Sequence, residues 1–379
     1  MQVNQRRWLP GEGWSPPSSA PLGATAGLVL VFGDTALLAD PYPLAALREL
    51  YPEALQVGCS TAGEILGTCV LDGSLVASAV AFASTRVRGV VLPLCDAGES
   101  SQVGAQLAAG LAGPGLAHVL VFSDGLWVNG SQLVRGLTSG LPPGVAVSGG
   151  LAGDGSRFQR TLVGLGGAPR ERQVVGVGLY GTTLRIGCCS LGGWDPFGPE
   201  RRITRSCDNV LYELDGQSAL GLYKQYLGPH AAGLPASGLH FPLSLRSGGA
   251  MPVVRTILSV DEEADSVTFA GDLPEGAYAR LMKCNVERLI DGAHDAAEAC
   301  RRPAPGGRTP ELALLISCVG RKLVLQQRIE EEVESVREVL GEATALAGFY
   351  SYGEIAPFIA GAVCELHNQT MTITTLAED

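Results

Sequence analysis

Short apolar runs recur along the chain, each stopped by a polar or glycine turn. Gly27-Leu28-Val29-Leu30-Val31-Phe32 is continuous and apolar, the pattern of a strand buried on both faces, and Gly33-Asp34 stops it. The pattern predicts a helix over 43–50 and a strand over 54–57 that leads into Gly58. The same order returns with a strand over 117–122, a stop at Ser123-Asp124-Gly125, a helix over 132–141 and a short strand over 145–147 that leads into Gly149. A third copy has a strand over 312–317 and a break at 318–320. Its helix, over 323–340, carries Leu325, Ile329, Val333, Val336 and Leu340 on one face and leads into Gly348. The spacing is irregular, so this is a topological echo and not a solenoid repeat.

Strand patterns fill the intervals. Residues 74–83 and 87–94 read as a hairpin, and 160–164, 174–180 and 183–189 as further strands. The stretch 227–247, with Pro229, Pro235 and Pro242, reads as the connection between two halves. A second hairpin is predicted over 253–269, a strand over 277–282, and a helix over 285–300 before a break at 303–307. The first 24 residues, with Pro10, Pro16, Pro17 and Pro21, read as an extended tail. The expected fold is α/β: two related halves, 25–226 and 227–379, with mixed β-sheets flanked by helices. Its repeated β-α-β units deliver Gly-rich loops.

Ligands of α/β folds bind beyond strand ends, which singles out those loops. Gly58-Cys59-Ser60-Thr61-Ala62-Gly63-Glu64-Ile65 and Gly348-Phe349-Tyr350-Ser351-Tyr352-Gly353-Glu354-Ile355 both close on Gly-Glu-Ile. Gly149-Gly150-Leu151-Ala152-Gly153-Asp154-Gly155 is the third. The candidate ligand contacts are Cys59, Ser60, Thr61, Gly63, Glu64, Gly150, Asp154, Ser351, Tyr352, Gly353 and Glu354. Glu64, Glu354 or Asp154 would meet a ligand's ammonium group, and Arg321 with free loop N–H groups a carboxylate. The competing reading is structural: glycines that permit turns, and acids that cap helices or pair with arginines. His367 and Asn368, in the polar segment His367-Asn368-Gln369-Thr370, are a second candidate group, against a plain hydrogen-bonded strand. Asn129, Asn209 and Tyr212 are weaker candidates of this kind. Trp194 and Phe197 either wall a pocket or pack under a loop.

These stretches resemble the paired signatures of the FIST family, a bacterial sensory module with N-terminal and C-terminal halves. Gly193-Trp194-Asp195-Pro196-Phe197-Gly198-Pro199, Asn209-Val210-Leu211-Tyr212-Glu213-Leu214-Asp215-Gly216 and Leu366-His367-Asn368-Gln369-Thr370-Met371-Thr372 add to the resemblance, which spans almost everything after residue 25. It implies a sensor that binds a small ligand, an amino acid or similar metabolite, in a cleft between the halves. No segment of the sequence reads as an output domain, so the expected output passes to a signalling partner protein in trans. Some FIST-like proteins are haem proteins, which leaves open a haem-based gas (nitric oxide) sensor with an axial cysteine or histidine, the histidines being His118, His230, His240, His294 and His367. A further alternative is an enzyme with Cys59 as nucleophile, His367 as base and Glu64 or Glu354 orienting it.

Composition narrows the partners. Among 379 residues, 46% are hydrophobic and 17% charged, which describes a well-buried globular protein. The net charge of -11 argues against nucleic-acid binding, since the arginine clusters are short and lack interleaved aromatics. The N-terminus has no apolar signal core, and the uncharged run Ser100–Ser123 contains Gly113-Pro114-Gly115, so neither secretion nor membrane insertion is expected. Ten cysteines without a Cys-x-x-Cys pair suggest a reducing cytoplasm and no structural zinc site. Gly176-Val177-Gly178-Leu179-Tyr180-Gly181 matches a dinucleotide fingerprint by letter, but a strand pattern follows it where a helix is required.

Overall fold

The computed structural model describes residues 1–15, 22–248, 251–301 and 309–379. Its body is three six-stranded sheets, each built on one of the three repeated units. The first contains the parallel pair Leu28–Gly33 and Leu55–Ser60, the second Leu116–Ser123 and Ala146–Leu151, the third Leu312–Cys318 and Ala345–Ser351. In each, the first strand of the pair also takes an antiparallel neighbour: Leu75–Ala81, Gln173–Tyr180 and Met371–Glu378 respectively.

Alternation explains why these strands read as unbroken apolar runs. Leu28, Leu30 and Phe32 point into a central core shared by all three sheets, with Leu120 and Phe122 and with Leu312, Leu314 and Ile316. Their neighbours Val29 and Val31 face outward under helix Pro41–Leu50. Val119 and Val121 do the same under helices Ser100–Leu111 and Gly130–Gly140. At the centre Phe32, Phe122 and Phe349, one from each sheet, meet with ring centroids 4.6–6.2 Å apart. The polar strand stops are helix signals. The Asp34 side chain accepts from the N–H groups of Ala36 and Leu37, and Asp40 caps the next helix ahead of Pro41.

The three sheets exchange strands in a closed cycle. The strand Glu64–Leu66, which follows the first unit, pairs with Ala345–Ser351 of the third sheet. The strand Gly353–Pro357, which follows the third unit, pairs with Ala146–Leu151 of the second. The strand Val163–Leu165, downstream of the second unit, pairs with Leu55–Ser60 of the first. Sheets two and three therefore contain strands from both sides of residue 226. A fourth, nine-stranded sheet also draws on both sides, from Asp195–Pro196 to Tyr278–Lys283, with its own core around Leu211, Tyr223 and Phe269.

Four sequence expectations need correction. Residues 2–9 and 13–15 are not a tail but two strands, the longer paired along its length with Leu75–Ala81. Trp8 and Trp14 anchor them edge to face, and Trp14 Nε1 donates to the Pro43 carbonyl at 2.9 Å. Pro16, Pro17, Pro21 and the break at 303–307 lie outside the described residues. Leu75–Ala81 and Arg86–Pro93 do not form a hairpin: the first joins sheet one and the second pairs with Gln173–Tyr180 in sheet two. Glu378 takes the N–H groups of Ser84 and Thr85 between them, which frees the strands to diverge. The helix expected over 323–340 starts earlier and breaks: Val319–Leu325 and Ile329–Leu340 are separated by a turn in which Gln326 is left-handed, φ 52°. Finally, Gly58, Gly149 and Gly348 sit within strands, not loops.

Candidate functional site

A cavity of about 710 Å³ opens where strand ends of sheets two and three face the fourth sheet. Its floor comes from the turn Gly125–Gly130, the start of helix Val319–Leu325, and Tyr352, Leu366 and Asn368. Its roof comes from Pro235, Ala236 and Leu239 and from the strand residues Thr256–Leu258 and Phe269–Gly271. Apolar side chains dominate, and no Asp, Glu, Lys, Arg or His of the described residues lines it. This size and polarity suit a small organic molecule.

Most polar groups of the lining are already committed. Asn129 caps helix Gly130–Gly140 and donates to Asp272 at 2.8 Å. Asn209 donates to the Phe269 carbonyl at 2.8 Å. The Tyr352 hydroxyl donates to Asp154, and its ring stacks on Phe158 with centroids 4.4 Å apart. Phe158 holds φ 53°, an uncommon conformation for a bulky residue. The Asp154 carboxylate fixes it there by accepting from the N–H groups of Phe158, Gln159 and Arg160.

Two buried side chains of the lining are not committed. Asn368 is 1% exposed, and neither Oδ1 nor Nδ2 has a hydrogen-bond partner among the described residues. Thr256 Oγ1, also buried in the lining, is in the same condition. A buried polar group left unpaired costs about 1–3 kcal/mol. The fold holds Asn368 in place from both sides. His367 Nε2 lies 2.8 Å from the Ala356 carbonyl, and Trp194 Nε1 donates to the Gln369 carbonyl at 2.8 Å. Glu354 accepts from both the N–H and the hydroxyl of Thr370. Gln369 is left-handed, φ 62°, and its amide presses on Gly320 so closely that a Cβ there would lie 2.4 Å away.

Of the residues singled out from sequence, Tyr352 and Asn368 line the cavity, with Asn129 and Asn209 from the weaker group. The others lie elsewhere. Ser60 accepts from Leu162 N–H, and Thr61 and Ser74 donate to Glu64 at 2.6 and 2.7 Å. Burial pushes the Glu64 carboxyl up to about 7 against those two hydrogen bonds. Glu354, bonded by Ser351 and Thr370, is pushed by burial to about 8. Gly63, Gly150 and Gly353 pack against Lys322, Ile316 and Leu151. Arg321 does not face the cavity: it is fully buried, clamps Glu332 at 2.7 Å, and donates to the carbonyls of Gly192 and Leu289. Burial lowers His367 to about 4. Cys59 lies in the central core, where burial raises its thiol, the reverse of what a nucleophile needs. Trp194 is a support under Gln369, and Phe197 belongs to the fourth sheet's core. The roof was missed from sequence. Its apolar Ile257, Leu258 and Phe269 gave only a hairpin signal, and Phe158 gave none.

A haem does not fit these residues. Among the described residues no histidine lines the cavity and no cation is placed there to take propionates, and burial pushes the thiol of the lining Cys318 well above its usual value, away from the thiolate that ligates iron.

The architecture is an α/β body covered by a fourth sheet, with the 710 Å³ cavity at their junction. Residues 27–217 match the FIST N domain and residues 219–357 the FIST C domain, so the chain belongs to the FIST family of sensory signalling domains. A comparison with curated proteins returns no match. Among the described residues no helix is long and apolar enough to cross a membrane.

Proposed function

We propose that this protein senses a small metabolite held in the 710 Å³ cavity, which residues of both matched domains line. One observation carries the reading: the chamber is large enough for a small organic molecule, and its walls come from both sides of the boundary between the matched domains. A ligand bound there touches the floor and the roof together, so its presence alters how firmly the fourth sheet sits on the body. That is a route from occupancy to a signal read by a partner protein in trans. An amino acid is the ligand the family resemblance suggested. The uncharged lining favours a neutral molecule instead, because a zwitterion would leave both its charges desolvated without ionic partners. The test is a thermal-shift screen of small metabolites against the wild type and Leu258→Trp, a change at the partly exposed edge of the cavity. A ligand at a hundred times its Kd adds about 2.7 kcal/mol. The reading predicts hits in the wild type that Leu258→Trp abolishes. Hits that survive the substitution, or none at all, would sink it.

A further inference from the structure

A second cavity carries a different chemistry. We propose that it is a separate binding site for a small monocarboxylate with a hydrogen-bond donor on the neighbouring carbon, a 2-hydroxy or 2-amino acid, with Arg255 holding the carboxylate and Glu365 taking the donor. This inference does not depend on the larger cavity being a ligand site.

The space, about 340 Å³, lies between helix Gly130–Gly140, the fourth-sheet strands Leu243–Arg246 and Val253–Arg255, and the start of strand Cys364–His367. It shares a wall with the 710 Å³ cavity but not its polarity. Arg255, Asp272 and Glu365 line the smaller cavity, and their chain neighbours Thr256, Gly271 and Leu366 line the larger one. The partition thus keeps the charged side chains on one side.

Arg255 is the first ground for the assignment. It is 4% exposed, and its Nε and Nη1 donate to the carbonyls of Asp272, Val254 and Leu366 at 2.9–3.3 Å. Three of the five guanidinium N–H groups are thereby used. Nη2 has no partner among the described residues and, unlike the amide of Asn368, is not sealed from solvent. Its two N–H groups therefore open onto the cavity that the residue lines. Nor does Arg255 form an ion pair among the described residues: the neighbouring Asp272 is taken by Arg135 at 3.2 Å and by the Asn129 amide at 2.8 Å. Burial lowers the guanidinium to about 10, which leaves it charged at neutral pH. A buried cation without a counter-ion is costly. A carboxylate on Nη2 supplies the missing charge through a charge-assisted hydrogen bond.

Glu365 is the second ground. Its half-buried carboxylate lines the same cavity and has neither a hydrogen bond nor an ion pair among the described residues. Burial raises it, and the charges of Arg255 and Arg135 draw it back down. Arg255 and Glu365 do not pair with each other, so a molecule with a carboxylate and a donor on adjoining carbons satisfies both. A phosphate would bring its second negative charge against Glu365.

The probes are L-lactate and L-alanine, which join the carboxylate to a hydroxyl or an ammonium donor. Each is titrated calorimetrically at neutral pH beside propionate, which lacks the donor, its own carboxamide, which lacks the carboxylate, and inorganic phosphate. At least one of lactate and alanine is expected to bind, with propionate, the matching carboxamide and phosphate each about 10- to 100-fold weaker. The tighter of the two identifies the donor. Arg255→Gln should abolish binding of that probe, and Glu365→Leu should reduce it to the level of propionate. Arg255→Gln also gives up carbonyl contacts that hold the fold, so a second variant is needed. Thr138→Trp fills the cavity from the helix, where the Thr138 hydroxyl bonds only to helix carbonyls. It should abolish binding, whereas Leu258→Trp in the larger cavity should leave it unchanged. Equal binding of carboxylate and carboxamide, binding undiminished by Thr138→Trp, loss in Leu258→Trp, or failure of every probe would overturn the assignment. Propionate or phosphate binding as tightly as lactate and alanine would overturn the part given to Glu365 and leave an anion site on Arg255 standing.

Discussion

Three glycines show how one atom constrains the body. Gly58, Gly149 and Gly348 occupy the same place in the three parallel pairs, and a Cβ on each would lie 1.7–1.9 Å from the carbonyl oxygen of Val31, Val121 or Leu315. Alanine at any of them must push two hydrogen-bonded strands apart, so each substitution should cost at least about 1–3 kcal/mol in urea unfolding. Values within error of the wild type would mean the strands yield freely there. The glycines were legible in the sequence, but as loop residues near a ligand. Letters alone do not distinguish a turn from a close strand approach, because both require the missing side chain. Glu64 and Glu354 make a second prediction at this scale. Their folded values, about 7 and about 8, lie above the ordinary 4.5, so the folded state holds protons that the unfolded chain releases. Their stabilising contribution is complete below about pH 4.5 and is lost as pH rises through 7 to 8, with a slope of up to about 1.4 kcal/mol per pH unit for each group. Unfolding free energy measured from pH 5 to 8 should decline, and Glu354→Gln should flatten the decline.

Among the elements, the broken helix repays comparison with its sequence. Leu325, Ile329, Val333, Val336 and Leu340 share an apolar face, and periodicity alone joins them into one rod. The break lets helix Val319–Leu325 fold back, which brings Arg321 onto Glu332 and onto the carbonyls of Gly192 and Leu289. Three helices are tied through that one guanidinium, with Ser317 and Tyr350 donating to the other Glu332 oxygen. Arg321→Met should therefore lose about 3–5 kcal/mol by stranding a buried carboxylate, and adding Glu332→Leu should restore part of it. Chemical denaturation of the single and double variants decides this; a neutral single variant would contradict it. The strands of the body were readable because apolar runs and polar stops are local. The cavity was not, because its walls join residues far apart in sequence, such as Leu126, Ile257 and Asn368. Asn368 itself was visible as a polar residue in an apolar strand context, though nothing in the sequence showed that its amide would lack a partner.

The cyclic exchange makes the molecule a single cooperative unit despite its two matched domains. Sheets two and three are each completed by strands from the other side of the domain boundary. Calorimetry should give one unfolding transition, and fragments 1–218 and 219–379 should fold only when produced together. Two resolved transitions, or a natively folded isolated fragment, would refute this. The exchange also governs the order of events at the ribosome. The first sheet has all its strands once residue 165 has emerged. The edge of Ala146–Leu151 must wait about 200 residues more for Gly353–Pro357. At typical synthesis speeds that is about 10–40 s with an unpaired strand exposed, the kind of edge that recruits foreign strands. The nascent chain is thus most vulnerable to aggregation in the second half of its own translation, and holdase chaperones should matter to its yield far more than the stability of the finished fold would suggest.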